Sequence, residues 1–140
     1  EGEEYLVRTL IERQRKVGRL AFSGVNPLDR FRMVETAGGQ HLEFEDLAVR
    51  HGFAQPAGTW YYYALHPAHK RKNSTPVRSM RGSRIPLSDL AGWARNAHPQ
   101  SSLFVLTIGT RRDGGEFPDR IVTVYLEREG TRFQLRGWEH

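Results

Sequence analysis

The sequence predicts an α+β domain with a mainly antiparallel sheet of five or six strands, two or three helices and a C-terminal β-meander. Three observations predict it. A chain of 140 residues that is 38% hydrophobic holds material for one core and hence one domain. Gly38-Gly39, Asp113-Gly114-Gly115 and Glu129-Gly130 are turn signals separating short alternating or apolar runs. Helical spacing is confined to a few stretches between those runs.

Leu6, Val7, Leu10 and Ile11 make an apolar stripe that predicts a helix from Glu3 to Val17. Glu1, Glu3 and Glu4 precede it and Arg13, Arg15 and Lys16 close it, as the helix dipole favours. Gly18 stops it, and Arg19 to Val25 follows as a short strand ended by Asn26-Pro27. Arg30 to Glu35 alternates as a strand, and His41 to Phe44 returns after the glycine turn. Glu45 to His51 is expected as a short helix, and Thr59 to Leu65, with Trp60 and three tyrosines, as a strand. Ser88 is expected to cap a helix running to Ala97, with Asp89 in its first turn. Ser102 to Thr110 is a dense apolar run suited to a central strand. Ile121 to Arg128 and Thr131 to Trp138 then form a hairpin through Glu129-Gly130. No linker or repeat divides residues 1–140.

Charge is distributed unevenly along this domain. The whole chain has 21 Lys+Arg against 16 Asp+Glu, yet residues 47–112 carry ten bases and a single acid, Asp89. Both flanks are net acidic. His66, His69, Lys70, Arg71, Lys72, Arg78, Arg81 and Arg84 crowd one stretch, interspersed with Ser, Thr, Pro and Gly. Unpaired long cations rarely bury, so residues 66–87 are expected as an exposed basic loop. Such a loop is a phosphate-binding surface, unless it pairs with the acid-rich segment before Leu47.

Composition excludes several classes. Without cysteine there is no disulfide framework, thiolate zinc site, iron–sulfur cluster or cysteine nucleophile. No apolar run approaches the roughly 20 residues of a membrane helix. No signal-peptide pattern is visible, which makes the cytoplasm the default expectation. The paired glycines lack a Walker lysine or dinucleotide fingerprint, and there is no Gly-x-Ser-x-Gly elbow. No metal and no cofactor is therefore expected.

The leading expectation is a nucleic-acid-binding domain, for RNA or DNA, with no membrane partner. Lys70, Arg71, Lys72, Arg78, Arg81 and Arg84 would contact phosphates, assisted by Arg50, Arg95, Arg111 and Arg112. Alternation sends Tyr61 and Tyr63 to one face of their strand and Trp60 and Tyr62 to the other, so Tyr62 is a candidate for stacking on bases. The first alternative is a metal-independent ribonuclease. There His66 and His69 would take and give protons while the neighbouring cations hold the phosphate, in an architecture analogous to small sheet-plus-helix ribonuclease toxins. The second is an interaction module whose basic loop docks an acidic protein.

Three weaker patterns complete the reading. Glu45 to Phe53 resembles the first helix and turn of a helix-turn-helix, with Ala48 and Gly52 in place, but Pro56 and Gly58 fall where a recognition helix should run. His66 and His69 are three residues apart, and a zinc site would need His41, Glu43 or His51 as well. Pro118-Asp119 with Glu127-Arg128 resembles the carboxylate pattern of metal-dependent nucleases, without its lysine.

Overall fold

Two-residue alternation of apolar and polar side chains builds most of the molecule. The computed structural model describes residues 28–112 and 121–140. The expected helix Glu3–Val17, the strand Arg19–Val25, the Asn26-Pro27 and Asp113-Gly114-Gly115 turns and Pro118-Asp119 lie outside the described residues.

In chain order the strands are β1 (Leu28–Thr36), β2 (Gly39–Asp46), β3 (Thr59–Pro67), β4 (Arg78–Met80), β5 (Arg84–Pro86), β6 (Leu103–Arg112), β7 (Val122–Glu129) and β8 (Arg132–Glu139). Helix α1 (Leu47–Arg50) follows β2, and α2 (Ser88–Ala97) follows β5. All strand pairs are antiparallel.

The single five- to six-stranded sheet expected from sequence is instead two sheets, ordered β1-β2-β5 and β4-β3-β6-β7-β8. The difference arises in the basic stretch. Residues 66–87 are not one loop: they include β4, which pairs with β3, and β5, which pairs with β2. Three-residue strands that each begin with arginine carry too short an alternation to be recognised, and pairing at a sheet edge leaves those arginines exposed. Thr75 further ties the segment down: Leu65 N donates to its Oγ1 at 2.9 Å, and its own N donates to the Leu65 carbonyl at 2.8 Å.

One core lies between the sheets. Leu42, Phe44, Leu65, Ile85, Leu87, Phe104, Leu106, Ile108, Val124 and Leu126 are all buried there. Each such side chain contributes about 1.5–3 kcal/mol by leaving water. Aromatic pairs join the sheets at two corners. Phe44 meets Tyr61 edge-on at 5.0 Å between β2 and β3, and Phe31 meets Trp138 at 5.2 Å between β1 and β8. Gln40 spans the gap between sheets differently: its amide donates to the Phe133 carbonyl at 2.7 Å and accepts from Phe133 N at 2.9 Å. It thereby completes the hydrogen bonding of β8 where no strand can reach.

Helix α2 packs Leu90, Ala91 and Ala94 on this core, with Asp89 in its first turn and Arg95 in its last. Its N-cap residue is Leu87, without a side-chain cap, rather than Ser88. Ser88 instead lies against Gly39, where an added Cβ would come within 2.2 Å of Ser88 Oγ and φ is +113°. Only glycine fits there. The expected helix Glu45–His51 shrinks to the single turn of α1, because Glu45 and Asp46 belong to β2. A 3₁₀ turn at Pro56–Gly58 and then β3 occupy the place of a recognition helix. The last three strands form the expected meander.

Candidate nucleic-acid interface

The parity of β3 decides which aromatics are available. Tyr61 and Tyr63 face the core and are buried, whereas Trp60 and Tyr62 lie half-buried on the outward face of the five-stranded sheet. Along that face Trp60, Tyr62, Ala64 and His66 stand opposite Arg111, Gly109, Thr107 and Val105 of β6. Glycine opposite Tyr62 leaves that side of its ring without a cross-strand side chain. On the other side β4 runs back along β3, placing Ser79 opposite Tyr62.

This antiparallel return makes the basic stretch a rim on the sheet. Lys70, Arg71 and Lys72 lie in the turn after β3, at the His66 end, and Arg78 lies opposite Tyr63. Beyond β4, Arg81 places its guanidinium 4.2 Å over the Trp60 ring. Lys70, Arg71, Lys72 and Arg78 are exposed, and among the described residues no carboxylate pairs with them.

The other expected phosphate contacts are differently placed. Arg84 donates to Glu43 Oε2 at 2.7 Å, Arg50 to Glu45 Oε1 at 2.6 Å, and Arg112 to both oxygens of Asp46 at 3.0 Å. All three acids precede Leu47, so these arginines neutralise the acid-rich segment. Arg95 is exposed but sits on α2, on the core side of the sheet. Arg111, also exposed, stands opposite Trp60.

Asp46 is the centre of a buried network. Besides Arg112 it accepts from Tyr61 Oη at 2.7 Å and from the N–H groups of Ala48 and Val49 at the start of α1. Burial first, and the Asp46 anion second, hold the Tyr61 phenol far above its ordinary range, so it stays the donor. An adjacent cleft of about 260 Å³, lined by Glu45, Arg50, Pro56, Tyr61 and Ser83, opens beside this network and not on the aromatic face.

Glu43 is held from both neighbouring strands, by Arg32 of β1 and Arg84 of β5, each directly opposite it. The Arg32 hydrogen bond, then that of Arg84, lowers its carboxyl below the usual range. A carboxyl lowered on folding stabilises the native state above its unfolded pKa of about 4.3, and loses that contribution as pH falls through the folded value. The stability gap between the native chain and Glu43→Gln is therefore expected to be constant above about pH 5 and to close at lower pH. Urea titrations at a series of pH values measure it, and a gap unchanged down to acid would contradict the triad.

The histidines take separate positions. His66 Nδ1 donates to the Pro67 carbonyl at 2.8 Å. His69 is exposed in the following turn. His41 is engaged near Thr36 Oγ1 and the Gly39 carbonyl. Among the described residues no three His, Asp or Glu side chains gather as metal ligands, so His66, His69, His41, Glu43 and His51 do not form the zinc set considered above. Glu127 is paired with Arg136.

Sequence reading missed two contributors to this region: Ser79, inside an unrecognised strand, and Asp46, whose partners lie far along the chain. Only the Asp46-before-Leu47 cap position hinted at the second. Among the described residues no helix is long and apolar enough to cross a membrane. No protein-family model, curated protein or solved structure matches the chain.

Proposed function

We propose that the chain is a nucleic-acid-binding domain that grips phosphate backbone with the basic rim beside β3. The observation that carries this reading is the division among its cations. Arg50, Arg84 and Arg112 are neutralised by carboxylates, while Lys70, Arg71, Lys72 and Arg78 stay exposed without one among the described residues. A row of cations that meet no carboxylate among the described residues is an attractive surface for a polyanion, and backbone contact alone confers little sequence preference.

The test is fluorescence anisotropy with labelled RNA and DNA across a salt series. Binding is expected with a log K against log[salt] slope of about −3 to −5, which corresponds to roughly three to six phosphates neutralised on duplex DNA. No binding at low salt would overturn the reading and favour an acidic protein partner. A second reading, metal-independent RNA cleavage, draws on His66, which shares the face of β3 that carries Trp60 and Tyr62. It predicts an RNA signal that decays with time in EDTA and is preserved in His66→Ala or His69→Ala.

A further inference from the structure

We infer that the ligand of this face is an unpaired strand, with Trp60 and Tyr62 as its base-stacking platform. The inference rests on the nucleic-acid-binding reading above and adds the strand type. Trp60 and Tyr62 are two residues apart on one face of β3, hence about 7 Å apart along the strand. That is about twice the 3.4 Å step between nucleotides in a duplex strand. Bases seated on both rings belong to an extended, unstacked chain, and the paired bases of a duplex cannot offer their faces to them.

The surroundings of the two rings fit that occupant. Opposite Tyr62 stand Gly109 on β6 and Ser79 on β4, both small, so neither cross-strand partner lays a long side chain against the ring. Arg81 lies 4.2 Å over Trp60, and a guanidinium in that position joins the ring as a cationic stacking surface. Lys70, Arg71 and Lys72, which meet no carboxylate among the described residues, lie in the turn at the His66 end of the ring row, whereas Arg78, opposite Tyr63, leaves the edge strand on the core side. Phosphates of a strand whose bases lie on β3 would therefore meet Lys70, Arg71 and Lys72 at the His66 end of the row. Charge complementarity and ring spacing point to the same ligand.

Anisotropy with labelled oligothymidylate, oligouridylate and a DNA duplex of equal length tests the inference. Single strands are expected to bind more tightly than the duplex. Trp60→Ala should weaken single-strand binding by about ten-fold, and Tyr62→Ala similarly, with duplex binding changed less than about two-fold. Trp60→Phe should keep most of the affinity, because phenylalanine also stacks. It should also abolish the tryptophan quenching that single strands cause in the native chain, a readout independent of how well Trp60→Ala folds. Equal binding of single strands and duplex, with no effect of the ring substitutions, would overturn the stacking platform while leaving phosphate binding by the rim intact. Absence of binding to all three probes at low salt would overturn the parent reading itself.

Discussion

Asp46→Ala is expected to destabilise the domain by about 3–5 kcal/mol, a large share of the total for a chain of this size. The carboxylate side chain is only 4% exposed and Arg112 reaches it with two nitrogens. Removing it leaves Arg112 facing a buried void, the Tyr61 hydroxyl without its acceptor and two N–H groups of α1 uncapped. Because β2, α1, β3 and β6 all meet at this residue, the loss falls on the junction between the sheets. Chemical denaturation provides the measurement. Asp46→Asn, which keeps an acceptor for the cap, should lose less. Arg84→Ala, which removes a half-exposed cation, should cost no more than about 1 kcal/mol. An Asp46→Ala variant within about 1 kcal/mol of the native chain would show that the network does not hold the sheets together.

The triple variant Lys70→Ala, Arg71→Ala, Lys72→Ala is expected to weaken nucleic-acid binding several-fold at physiological salt. Its salt dependence should become shallower by about 2, given roughly 0.7 per phosphate released from a single strand. All three side chains are exposed in the turn after β3 and pair with no carboxylate among the described residues. The stability of the variant should therefore stay within about 0.5 kcal/mol of the native chain. A folded variant with unchanged affinity and slope would remove this turn from the interface. The comparison with Arg84→Ala is informative here too. Arg84 spends its charge on Glu43, so its loss should alter the salt slope little, even though the sequence places it in the same basic stretch.

Much of the architecture was legible residue by residue. The apolar spacing of Leu90, Ala91 and Ala94, the alternation from Val122 to Leu126 and the turn at Gly130 each point to the element that forms. Other features were hidden for definite reasons. β4 and β5 are three residues each, too short for a period to register, and their arginines resemble those of any solvated loop. Asp46 looked like one acid in an acidic run. Its role depends on Arg112, sixty-six positions away, reaching back across the sheet.

By itself the sequence determined the strand-rich character of the chain, the one well-formed helix among the described residues, the concentration of cations between two acidic flanks, and the separation of Trp60 and Tyr62 from Tyr61 and Tyr63. A period of two separates alternate side chains but does not say which set turns inward. Only the tertiary structure decided that Tyr61 and Tyr63 fill the core and that the strands divide between two sheets. It also decided which arginines meet Glu43, Glu45 and Asp46 and which cations meet no carboxylate among the described residues. Those outcomes depend on strands distant in sequence closing around one core, and the distances that decide a charge's partner exist only after that closure.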